Sequence, residues 1–70
     1  MRLVQVLVPE GTRAQVIESL DEQGVDYALF EEVGRGDFEA MVQFPVPPSG
    51  VEPILDRLRE AGVREGAYTI

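Results

Sequence analysis

Phe38-Glu39-Ala40-Met41-Val42-Gln43-Phe44 sets Phe, Ala, Val and Phe on one parity and Glu, Met and Gln on the other. A period of two over this length is a half-buried β-strand, one face on a core and the other uncovered. Its neighbours decide what that strand belongs to. Upstream, Leu3, Val4, Val6, Leu7 and Val8 are interrupted only by Gln5 and end at Pro9. Val4, Val6 and Val8 share one face, Leu3, Gln5 and Leu7 the other, so a strand over 2–8 is expected at the centre of a sheet.

Between these two strands the apolar period changes. Ala14, Ile17 and Leu20 with Val16 follow the spacing of a helix over 12–23, with Thr12 and Gln15 as a capping box and Gly24 as terminator. Strand character returns over 25–33, through Tyr27, Leu29 and Phe30, and Gly34-Arg35-Gly36-Asp37 offers a tight hairpin into the alternating strand. Pro45, Pro47 and Pro48 are expected to stop that strand. Ser49 with Glu52 repeats the capping signature, and Val51, Ile54, Leu55, Leu58 and Ala61 form a second apolar stripe. Pro53 falls in the first turn and Gly62 ends the helix. A short last strand is expected over 67–70.

The order is strand, helix, strand, strand, helix, strand. Two independent α/β hairpins would leave their apolar faces uncovered. Two helices on one face of a four-stranded antiparallel sheet cover them, giving an α+β, ferredoxin-like βαββαβ sandwich. Residues 1–70 make one domain, too short for a second core.

Composition removes most chemistry. All six basic residues are arginines, against thirteen carboxylates and a net charge of -7; histidine, cysteine, lysine, asparagine and tryptophan are absent. Disulfides, thiolate metal sites and the usual general bases are therefore excluded, and no nucleophile–base pair is available. Ser19 and Ser49 fit structural positions on the helices. We expect no enzyme, no cofactor and no metal site. Scattered arginines in an acidic chain do not make a phosphate-binding stripe, and the open face lacks stacking rings at its centre, so nucleic acid is not an expected partner. The acidity resembles that of proteins from salt-loving microbes, where dense salt screens self-repulsion. The opening segment, Arg2 to Val8, reads as a strand and not as a leader, no stretch approaches about 20 apolar residues, and the chain as given is expected to be cytoplasmic and soluble.

Three constellations have a bland reading beside a functional one. Arg35-Gly36-Asp37 reads as a hairpin tip before it reads as an adhesion tripeptide. Glu31, Glu32, Asp37 and Glu39 read as a solvated acidic edge before a cation site, because neighbouring strand residues point to opposite faces. Arg57, Arg59 and Arg64 are expected to pair on the surface with Asp56, Glu60 and Glu65. Gly11, Thr12 and Arg13, at the start of the first helix, are a candidate anion cradle. The open sheet face offers Leu3, Gln5 and Leu7 on the first strand and Glu39, Met41 and Gln43 on the third, with Tyr27 and Leu29 joining them if Phe30 points inward; Leu3, Gln5, Leu7, Met41 and Gln43 are the expected contact residues. This face is the candidate interface, for a homodimer or for intramolecular docking.

Met1-Arg2-Leu3-Val4-Gln5-Val6-Leu7-Val8-Pro9-Glu10-Gly11, Phe44-Pro45-Val46-Pro47, Val51-Glu52-Pro53-Ile54-Leu55-Asp56-Arg57-Leu58-Arg59-Glu60-Ala61-Gly62 and Ala67-Tyr68-Thr69 are similar to stretches of the uncharacterised hydrophobic proteins of halophilic archaea known as domain of unknown function 389. The resemblance covers nearly the whole chain. It implies a soluble N-terminal domain ahead of a multi-helix membrane region, here excised at Ile70, with its parent in the cell membrane. That family brings no catalytic residues to carry over. The resulting expectation is a non-catalytic regulatory or interaction domain forming the cytoplasmic head of a multi-pass membrane protein. The alternative is a free-standing small-molecule or anion sensor whose ligand the sequence does not name.

Overall fold

The computed structural model describes residues 1–31, 34 and 36–69. Its elements run β1 (Arg2–Pro9), α1 (Arg13–Glu22), β2 (Ala28–Phe30), β3 (Phe38–Val46), a 3-10 turn (Pro48–Gly50), α2 (Val51–Glu60) and β4 (Tyr68–Thr69). All pairings are antiparallel and the strand order is β2-β3-β1-β4. With both helices on one face, this is the ferredoxin-like α+β sandwich. The strand with two apolar faces, β1, does sit at the centre.

Register explains the core. Val4, Val6 and Val8 of β1 pair with Phe44, Val42 and Ala40 of β3, and all six side chains are buried toward the helices. Val16 and Leu20 of α1 and Val51, Leu55 and Leu58 of α2 close that layer, with Val63 and Ala67 at the end. Within α1 the buried stripe is Val16, Ser19 and Leu20, while Ala14 is exposed and Ile17 half-buried. Ser19 is tolerated there because the Gln23 amide donates to its hydroxyl and its carbonyl, both at 3.2 Å.

Neither expected capping box forms. Thr12 precedes α1, but its hydroxyl turns back and donates to the Pro9 carbonyl at 2.8 Å. Gly50, not Ser49, precedes α2, because the prolines first drive a 3-10 turn. Pro45 does not stop β3, which continues to Val46. β2 flanks β3 only as far as Gln43, so beyond that residue β3 has a free side where a missing N–H is tolerated. β2 is three residues long, shorter than the expected 25–33. Residues 32 and 33 of that expectation, Glu32 of the acidic edge, Arg35 of the hairpin tripeptide and Ile70 of the last strand lie outside the described residues.

Gly24 and Gly62 both take positive φ after their helices, +70° and +113°. A side chain at Gly62 would also place its Cβ 3.0 Å from Thr12 Cγ2, pressing the α2 terminus into the loop ahead of α1. Gly62→Ala is therefore expected to cost about 1–3 kcal/mol of stability, read as a lower midpoint in urea unfolding. An unchanged midpoint would mean that the two loops move apart freely.

Candidate functional site

Antiparallel pairing sorts the other parity onto the open face. Gln5 lies opposite Gln43, and its Nε2 donates to the Gln43 Oε1 at 3.0 Å. Ala28 of β2 and Thr69 of β4 extend this amide row to the two edges. One step along, Leu7 opposes Met41 and Met41 opposes Phe30, an apolar row across three strands. On the other side Leu3 opposes Pro45. Leu3, Gln5, Leu7, Met41 and Gln43 are thus brought together on one surface.

The edge strand has the opposite phase to the one expected. Leu29 pairs with Val42, a core residue, so Leu29 faces the helices and Phe30 faces out. Tyr27, on the same parity as Leu29, packs against the core as well. Leu3 and Phe30 are 50% and 45% exposed, the largest uncovered apolar side chains after Met1. Phe30 is the face residue that sequence reasoning missed. Its segment is apolar on both parities, so alternation could not orient it, and only the register against Met41 does.

Leu3, Gln5, Leu7, Met41, Gln43 and Phe30 carry no charge, in a chain where 27% of residues do, but Glu39, on the parity of Met41 and Gln43, puts a carboxylate at one end of the face. That carboxylate accepts a hydrogen bond from the Gly11 amide at 2.5 Å. That bond bears on the candidate anion cradle. The Gly11 N–H is engaged by Glu39, the Thr12 N–H donates to the Pro9 carbonyl at 3.1 Å, and Arg13 Nη2 donates to Glu31 at 2.9 Å. An external anion at the loop would compete with two carboxylates of the chain itself.

Arg57, Arg59 and Arg64 pair with carboxylates within and between elements. Arg57 bridges to Glu22 at 3.1 Å, joining α2 to α1, and Arg64 lies 4.0 Å from Asp37. Arg59 bonds Asp56 at 2.6 Å and the Tyr68 hydroxyl at 2.7 Å, with its guanidinium 5.5 Å from the Tyr68 ring centre. Its buried Nε is 3.6 Å from Glu65 and hydrogen-bonds no described residue. The Tyr68 bond raises the Arg59 pKa above its ordinary value; desolvation opposes this, and Asp56 and Glu52 support it. Arg59 therefore stays cationic and pins β4, the shortest strand, to α2. Glu31, Asp37 and Glu39 each face a different partner, and among the described residues no three carboxylates gather in a metal-binding group. Among them, too, no helix is long and apolar enough to cross a membrane.

Fold and face together define the class: a ferredoxin-like α+β sandwich whose open sheet face carries an apolar row and an amide pair, with Glu39 at its end. No protein-family model matches the chain, and it matches none of the curated proteins.

Proposed function

We propose that the chain is a non-catalytic interaction domain that pairs with a second copy of itself through the open sheet face, as the cytoplasmic head of a multi-pass membrane protein. The observation that carries this reading is the uncharged centre of the face, Gln5, Leu7, Met41, Gln43 and Phe30, on a chain of net charge -7. Two such chains repel one another over the rest of their surfaces, and the centre of this face, with Glu39 held at its end by the Gly11 amide, brings apolar and amide groups together instead of carboxylates. Its centre supplies apolar contact from Leu7, Met41 and Phe30, and the Gln5–Gln43 pair leaves further amide donors and acceptors to bond across.

Area sets the strength. Four strands about 4.8 Å apart and roughly six residues long cover no more than roughly 400 Å² per copy. Both sides together fall short of the roughly 1,200 Å² at which stable interfaces begin. A free domain is thus expected to pair weakly, whereas copies held on one membrane protein gain an effective concentration in the millimolar range. Sedimentation equilibrium at about millimolar protein, the concentration that tethering provides, in molar potassium chloride should show dimer. Leu7→Glu with Met41→Glu should leave only monomer. Phe30→Glu, at a more exposed position, repeats the test with less risk to folding. A wild-type chain that is monomeric under these conditions overturns the reading.

A further inference from the structure

On the helix side of the sheet, the flank of α1 that is not used in the core faces the edge strand. Arg13, Ala14 and Ile17 of α1 line a cleft of about 480 Å³ with Tyr27 and Leu29. The cleft exists for two local reasons. The buried stripe of α1 runs through Val16, Ser19 and Leu20, so Ala14 and Ile17 look sideways, and Ala14 is too small to fill the space. β2 pairs for only three residues and presents Leu29 toward the helix layer, with Tyr27 two residues before it.

The lining has a defined chemistry. Ile17, Leu29 and the Tyr27 ring give an apolar floor, Arg13 sets one cation at the rim, and the Tyr27 hydroxyl bonds no described residue. The volume lies within the range of small-ligand sites, about 300–1,000 Å³. The Arg13 guanidinium is held by Glu31 at 2.9 Å in a solvent-exposed pair, the kind that contributes little and exchanges readily. A carboxylate already occupies the position that a ligand's carboxylate would take.

We propose that this cleft binds a small organic acid with a branched or aromatic apolar tail. Its carboxylate replaces Glu31 on Arg13, and its tail lies on Ile17, Leu29 and Tyr27. The charge of the chain makes this selective: an anion is repelled over most of the surface, so a small hydrophilic acid gains too little at Arg13, and the apolar floor supplies the rest. The site lies across the sheet from the pairing face, and the two stand or fall separately.

An NMR titration of the intact chain with 3-phenylpropanoate tests the proposal, with acetate and the neutral 3-phenylpropanamide as comparisons. The acid should give saturable amide shifts confined to Ala14, Ile17, Tyr27 and Leu29, in about the millimolar range for an open cleft of this kind. Arg13→Gln should weaken binding at least tenfold. Glu31→Gln, which removes the internal competitor, should tighten it by up to about fivefold. Equal binding of the amide, shifts scattered over the surface, or weaker binding by Glu31→Gln would each overturn the proposal.

Discussion

Phe44→Ala should bring the domain close to unfolding. Phe44 is the largest fully buried side chain, and it lies on the central strand pair, opposite Val4 and beneath both helices. Replacing a buried phenylalanine by alanine costs about 3–5 kcal/mol, from lost transfer energy and from the cavity left behind. A domain of this length has only about 3–10 kcal/mol to lose, and without disulfide or metal it stands toward the lower end of that range. The thermal midpoint, followed by circular dichroism in molar salt, should fall by at least about 12 °C, or the cooperative transition should vanish. Leu3→Ala is the comparison: on the open face at 50% exposure, it should change the midpoint by little. Equal effects from the two would mean that the core is not where the register places it.

The fold was legible because two signals agreed. Val4, Val6 and Val8 and then Ala40, Val42 and Phe44 show the period of two, the helical stripes show the longer period, and Gly24 and Gly62 stand where left-handed termini are needed. Element ends were less legible, because a cap depends on where backbone and side-chain dihedrals place the accepting oxygen and not on residue type alone. The Thr12 hydroxyl is oriented to donate to the Pro9 carbonyl, and its oxygen accepts no N–H of the first turn. Pro45 was misleading for another reason. Proline's cost in a strand depends on whether a neighbour needs the missing N–H, and the length of β2 decides that from outside the segment.

The same distinction divides the candidate surface. Met41 and Gln43 follow from the clear alternation of β3, and Leu3, Gln5 and Leu7 from the parity opposite the all-valine face of β1, which Gln5 marks as the open side. Phe30 does not, since Ala28 and Phe30 on one parity and Tyr27 and Leu29 on the other are all apolar. Nor could the sequence place Glu39 on the Gly11 amide or Glu31 on Arg13, contacts that span 28 and 18 residues. Local pattern gives the parity of a side chain; which distant group it meets is set by register and by the path of the loops.

Salt should change stability nearly as much as the core substitution does. The radius of gyration is 10.9 Å, which corresponds to a sphere of about 14 Å. Charging such a sphere to -7 costs about 5 kcal/mol at 0.01 M salt and about 1 kcal/mol at 1 M, from Coulomb's law with the Debye length. The unfolded chain relieves part of this by expanding, so the net gain on adding salt is about 2 kcal/mol, or roughly 10 °C in midpoint. Opposing it, the exposed pairs Arg13–Glu31 and Arg57–Glu22 weaken as salt rises, but each is worth no more than about 1 kcal/mol even in dilute buffer. Repulsion wins, and the midpoint in potassium chloride should climb. The shape of the climb separates two causes. Screening alone is nearly complete once the Debye length falls below about 5 Å, at a few tenths molar salt. A midpoint that keeps rising through 1–3 M, roughly beyond the reach of screening, would mark the ion-dependent hydration of an acidic surface expected of a protein from a salt-rich cell. A midpoint flat from 0.01 to 1 M, the interval over which the Debye length falls from about 30 to 3 Å, would contradict both.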